Sequence, residues 1–356
     1  MRRVALLAAS LAIGCGSSPS AYAIHFAAAE RAETAGRHDE AARDFDRASR
    51  DEAPPRERAH AAFLSALESI RAGDVADGAK RLEAIAKTRG EHAAEARWQL
   101  VVLDLATGAP ATKSELDDLL RAFPNDGVAY PALRARLRLA RASGGEAEAL
   151  AVLRALQPAV ATTESAPRVA YEIAESLAAL GKLAEARDAF VEVARKWPYP
   201  GEYFDDALWR ASELDEALSR YRDAVDDLER MLSVLESSTW PGTYVRPRFP
   251  DAGWRIAVLF RDKLGDADKA VAAFDRYVSE FPNDIRRAEA LWEAAKILRA
   301  HGDESGACAR LERIASIAPD SRYVPCAAER CSGAHVPKAS HAPSTCRAYL
   351  TRAAGP

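Results

Sequence analysis

DAGWRIAVLFRDKLGDADKAVAAFDRYVSEFP, residues 251–282, is followed six residues later by EALWEAAKILRAHGDESGACARLERIASIAP, residues 289–319. Aligned on Gly265-Asp266 and Gly302-Asp303, the two segments keep the same kinds of residue at the same distances. Ala270 and Ala307 lie five positions after the Gly, Phe274 and Leu311 four further on, then Tyr277 and Ile314, then Pro282 and Pro319. Each copy opens on a Trp-bearing helical stretch, with Trp254 and Trp292. The Gly lets the chain reverse between two helices. The small Ala lets the second helix approach the first, and the later apolar residues share one helix face. Pro cannot continue the helix and closes the unit.

The spacing resembles the tetratricopeptide repeat, a helix–turn–helix unit of about 34 residues. That resemblance implies an all-α fold, a right-handed α-solenoid. The same signature recurs upstream. Gly36, Ala41, Phe45 and Ala48 form one copy, and Gly73, Gly78, Leu82 and Ile85 a second in which Gly replaces the Ala. A third turns at Gly108-Ala109-Pro110 and carries Leu116, Leu119 and Leu120. The fourth has Gly144-Gly145, Ala149, Leu153 and Leu156. Gly181, Ala186, Phe190 and Val193 mark the fifth, and the sixth puts Ser219 in the Gly position ahead of Ala224, Leu228 and Met231. About eight repeats result, six over 21–236 and two over 251–320, enough for one continuous core.

The composition agrees with helix throughout: rich in Ala, Leu, Arg and Glu, with 7% aromatic residues. With 49 basic and 53 acidic residues the net charge is −4. No basic stripe appears, so nucleic acid is not an expected partner. Motifs for phosphate binding, a nucleophile elbow or a zinc protease are absent, and the repeats consume nearly all of the chain. The chain therefore reads as a non-enzyme without cofactor, metal or small-molecule substrate.

The N-terminus reads as an address. Arg2-Arg3 precede an apolar run, Val4 to Gly14, too short to span a bilayer. Residues 1–14 are expected to be a signal peptide. Leu11-Ala12-Ile13-Gly14-Cys15 resembles a lipobox, which implies diacylated Cys15 at the mature N-terminus and residues 15–20 as a tether. Ala21-Tyr22-Ala23 offers ordinary signal peptidase a rival site, but cleavage there would trim the first helix. The lipobox, with no Asp after Cys15, implies the periplasmic side of the outer membrane; ordinary cleavage implies the soluble periplasm. The FPND…ALWEAAKIL…GD rhythm is similar to the lipoprotein of the β-barrel assembly machine and to the coordinating protein of the Tol–Pal system. The chain is longer than the first family's array and lacks the coiled-coil start of the second, so neither is assigned.

Residues 237–250, SSTWPGTYVRPRFP, interrupt the helices with three prolines. Trp240, Tyr244, Arg246 and Arg248 there either cover the repeats or form a binding loop. By resemblance, set positions of each first helix face a concave groove. Carried onto this chain, the fifth positions are Phe26, Phe63, Tyr171, Trp209, Arg255 and Trp292. Glu175, Glu213, Glu216, Asp262, Lys296 and Arg299 fall at the ninth and twelfth. Rings flanked by charges suit a protein partner in the cell envelope; the rival reading packs the rings against neighbouring helices. Trp254, at a fourth position, is expected in the core.

Residues 321–356 read as a Cys-rich cap and tail. Outside the cytoplasm Cys308, Cys326, Cys331 and Cys346 suit two disulfides, and Cys308–Cys326 with Cys331–Cys346 is the preferred pairing of three. A metal or redox site using Cys331, Cys346, His335 and His341 is the sharper alternative.

Overall fold

The structure, a computed structural model, describes residues 20–109, 112–234 and 248–331. Among the described residues the fold is all-α: sixteen helices and no strand. The signal peptide, Cys15, the tether but for Ser20, Trp240, Tyr244, Arg246, His335, His341 and Cys346 lie outside the described residues.

Two compact units divide the chain, Met1–Leu139 and Ala140–Pro356. In the first, α1 (Ala21–Thr34) pairs with α2 (His38–Arg50), α3 (Pro55–Arg71) with α4 (Val75–Ala86), and α5 (Ala93–Thr107) with α6 (Thr112–Ala122). Helix α7 (Ala129–Val160) is broken by non-helical backbone at Gly144 and Gly145. The second unit continues with α8 (Ala166–Ala179) and α9 (Leu183–Lys196), then α10 (Phe204–Ala217) and α11 (Tyr221–Leu232). Next come α12 (Phe249–Asp262) and α13 (Ala267–Glu280), α14 (Arg287–Ala300) and α15 (Glu304–Ile317), and a closing α16 (Tyr323–Arg330). From α1 to α6, and again from α8 to α16, helices consecutive in sequence pack on one another. None of the described helices is long and apolar enough to cross a membrane.

The repeated residues are where the packing needs them. Ala41, Ala149, Ala186, Ala224, Ala270 and Ala307 are all fully buried, and so are Phe45, Leu82, Phe190, Leu228 and Phe274. Gly78 stands in the small position of α4 because α3 is closer there. A Cβ at Gly78 would lie 2.4 Å from Cγ1 of Ile70 and 2.8 Å from the Ala66 carbonyl oxygen. The Gly-Asp pairs divide two tasks. Gly302 takes a left-handed φ of 84°, its N–H bonding the Arg299 carbonyl while that of Asp303 reaches Leu298. The Asp303 carboxylate then caps α15, accepting from the Gly306 N–H at 2.7 Å, a contact worth ~1 kcal/mol. Asp74 and Asp266 cap α4 and α13 in the same way. Ser219 holds φ 61° in the turn between α10 and α11, among the described residues the one non-glycine with positive φ.

Three expectations are corrected here. Trp292 is 3% exposed, its ring tilted against that of Tyr323 at 5.2 Å between centroids. The closing helix α16 stands where a further repeat's first helix would pack, so this ring belongs to the core. Trp254 is half-buried, edge-on to Phe274 and Tyr277 at 5.4 and 5.7 Å. The disulfide pairing also differs: Cys308 bonds Cys331, with the Cα atoms 5.7 Å apart. Residues 318–322 turn the chain so that α16 runs back along α15. Positions equally far from that turn meet, and 308 and 331 are nearly symmetrical about Asp320, whereas Cys326 is not. Neither Cys308–Cys326 nor Cys331–Cys346 therefore forms, and a disulfide-bonded Cys331 is no thiolate ligand for a metal. Cys326 is buried and also disulfide-bonded.

Candidate functional site: the shared face of α8, α10 and α12

Three first helices of successive repeats are laced together by one polar network. Arg210 on α10 makes a two-pronged pair with Glu175 on α8, Nε to Oε1 at 2.8 Å and Nη2 to Oε2 at 3.1 Å. Its Nη1 donates to Oε2 of Glu213 at 2.8 Å. Glu213 also accepts from the Trp209 indole N–H at 2.9 Å and lies 3.7 Å from Arg255 of α12. Arg255 in turn bonds Glu216. Side chains of Glu175, Arg210 and Glu213 are each about a third exposed, so the network is reachable from solvent. The carboxylates hold the Arg210 proton tightly and push its pKa up, the Glu175 hydrogen bonds first among the causes.

Trp209 sits in the middle. The Arg255 guanidinium lies 4.8 Å from its ring centroid and that of Arg248 lies 5.6 Å away. Each such contact is worth about 0.5–1 kcal/mol while exposed and more once water is excluded. Arg248 also pairs with Asp206 at 3.0 Å, which ties the end of the Pro-rich segment to α10. Tyr171 is half-buried, edge-on to Phe190 at 5.2 Å and 4.9 Å from the Tyr203 ring. Burial pushes its phenol pKa up. Tyr171 thus serves partly as packing; Trp209 is half-buried as well, its N–H on Glu213 and its ring beside two guanidiniums.

The face continues onto α14 with less aromatic character. Arg261 of α12 bonds Glu293 at 2.6 Å and the adjacent Asp262, and Lys296 reaches Glu293 at 2.8 Å. Arg299 pairs with Glu304 instead, at 2.9 Å. In the other unit the corresponding positions build a ring ladder. Phe26 packs on Tyr22 and Phe45, and Phe63 stacks flat on His92 at 4.8 Å. His60 and His92 lie 3.3 Å apart. Burial, and the neighbouring His92 after it, hold the His60 pKa below its ordinary value.

Sequence reasoning missed Arg210, which organises the α8–α10–α12 face. Its signals were present: it follows Trp209, stands three before Glu213, and lies 35 residues, one repeat, beyond Glu175. His60, three residues before the fifth-position Phe63, stands at a second position that the repeat pattern does mark and was passed over; His92 stands at none.

These features define a helical-repeat protein with a mixed-charge, aromatic face suited to a protein ligand. Residues 251–284 and 289–321 match the tetratricopeptide repeat family model, so the chain carries tetratricopeptide repeats. Comparison with curated proteins yields no match. Among solved structures it is similar to MamA from Desulfovibrio magneticus RS-1, at 17% identity, covering 53% of this chain and 96% of that one, with a TM-score of 0.33. A tetratricopeptide repeat protein from Parabacteroides merdae is 19% identical over 66% of this chain and 83% of its own, with a TM-score of 0.34. YrrB, described as a tetratricopeptide protein with an unusual peptide-binding site, is 16% identical over 58% and 94%, with a TM-score of 0.36.

Proposed function

We propose that this chain is a lipid-anchored scaffold of the cell envelope that binds a protein partner on the α8–α10–α12 face. The observation that carries the reading is Trp209. A half-buried indole, two guanidiniums near its ring and a ladder of alternating charges supply an apolar anchor and polar register together. The network is already neutralised internally, so a partner has to match its charges or expel its water without breaking it; that favours a polypeptide of mixed charge over a simple ion. Tetratricopeptide repeats are suited to protein–protein interaction, and the reading assigns no chemistry to the site.

The envelope location rests on Arg2-Arg3, the apolar run and Cys15. The Cys308–Cys331 bond supports an oxidising compartment. Fractionating cells that carry the natural chain or Cys15→Ser tests the anchor. The natural chain is expected with the outer membrane and the variant in the soluble periplasm. An unchanged distribution refutes the anchor and leaves the scaffold reading standing.

A further inference from the structure

The first unit contains a cavity of about 530 Å³ between α4, α5 and α6. Val75 and Ala79 of α4, Leu100 and Leu103 of α5 and Leu119 of α6 give it apolar walls. Val75 is 46% exposed, a large apolar side chain that no neighbour covers fully. The volume lies in the range of ligand pockets.

The polar part of the lining is strongly one-sided: Glu83, Asp104, Glu115 and Asp118. Arg97 also borders it but is engaged elsewhere. Its Nε donates to the Ala86 carbonyl at 3.1 Å, and its guanidinium lies 5.0 Å from the Phe123 ring centroid. Glu83 and Asp118 are exposed and have partners one turn away, Lys87 at 3.9 Å and Arg121 at 3.3 Å. Asp104 and Glu115 differ. Their carboxyl groups lie within hydrogen-bonding reach of each other, and neither is in an ion pair among the described residues. Oε2 of Glu115 is buried with no hydrogen-bond partner there. Burial and the Asp104 carboxyl push the Glu115 pKa up. Two carboxyls sharing an apolar recess repel, and an orphaned buried oxygen carries a desolvation cost. A cation would remove both penalties.

We propose that this cavity is a second binding site, which receives a lysine side chain from an apolar segment of a partner polypeptide. The alkyl stem lies along Val75, Leu100 and Leu103. The ammonium, with three donors, sits between Asp104 and Glu115 and supplies the missing partner of the Glu115 oxygen. Apolar neighbours of the lysine fill the rest of the volume. The site is in a different unit from the α8–α10–α12 face and stands independently of it.

Fluorescence anisotropy of the full chain with a labelled nonapeptide of alternating leucine and lysine tests the proposal. Asp104→Asn with Glu115→Gln removes the charge, and Ala79→Trp fills the cavity without touching the charge. Both are expected to weaken binding at least tenfold. Asp39→Asn with Glu40→Gln, which removes two exposed carboxylates of α2, is expected to leave it unchanged, as is Trp209→Ala. The Asn/Gln pair also relieves the repulsion, so its thermal midpoint is expected to rise, which shows that it is folded. Equal weakening by the α2 variant, natural affinity in both cavity variants, equal affinity for a leucine–glutamate peptide, or no binding by the natural chain up to millimolar peptide overturns the proposal.

Discussion

Replacing Ser219 by glycine should stabilise the α10–α11 pair. Ser219 holds φ 61°, where seven other turns place glycine. Its backbone makes the same two bonds as the glycine turns: its own N–H to the Glu216 carbonyl at 3.0 Å and that of Arg220 to Asp215 at 2.7 Å. For a residue with a Cβ the left-handed conformation costs roughly 1–2 kcal/mol. Glycine removes that cost but gives back about 0.5–1 kcal/mol through the greater freedom of the unfolded chain. The Ser219 hydroxyl is exposed, and its 3.4 Å contact from Tyr221 adds little. The net expectation for Ser219→Gly is a gain of roughly 0.5–1 kcal/mol. Ser219→Ala keeps the Cβ and should give no gain, and Gly181→Ser, at φ 73°, should lose about 1 kcal/mol. Repeat proteins unfold locally, so the assay is native-state hydrogen exchange read on the amides of α10 and α11. A neutral or destabilising Ser219→Gly, or an equal gain from Ser219→Ala, refutes the turn argument.

Further outcomes follow from buried groups. Asp227 is nearly buried beside Asp215, and burial lifts its pKa to about 7 against the partial compensation of Arg187. The folded state therefore holds a proton that the unfolded chain releases near 3.9. Stability is fully present below about 4 and is lost as pH rises through about 7, by on the order of 2–4 kcal/mol. Asp227→Asn should stabilise at pH 8 and give no gain at pH 4, as read by urea unfolding at the two pH values. The Cys308–Cys331 bond closes a loop of sequence separation 23, so Cys308→Ser should cost about 3 kcal/mol. Hydrogen exchange should place that loss in α14–α16 and leave α8–α11 unchanged.

Much of this architecture is legible in the chain because the repeats report on packing at fixed distances. Ala270 and Phe274 are fully buried because two helices meet there, and the same need puts Ala186 and Phe190 in the equivalent places. Even the substitution at 219 could be read, since every positive φ in the described turns falls on a residue that the spacing marks. Less legible was whatever depends on the ends of the array. Trp292 stands where the pattern points outward, but the closing helix α16 places Tyr323 against it. Cysteine pairing is set by the geometry of one antiparallel turn; counting equal distances from residues 318–322 would have given Cys308–Cys331. Arg210 escaped notice because charged residues on a helix face are ordinarily solvated, and only its two carboxylate partners, one of them a repeat away, single it out.

The most direct test of the scaffold account is crosslinking with mass spectrometry on the natural chain and on Trp209→Ala, with the anchor intact in both. Loss of a central tryptophan should cost a partner about 2 kcal/mol or more, some thirtyfold in affinity. One dominant envelope protein is expected to crosslink to α8, α10 and α12 in the natural chain and to be lost from the variant while helicity stays unchanged. Undiminished recovery of that protein by Trp209→Ala, or crosslinks that avoid the three helices, would contradict it.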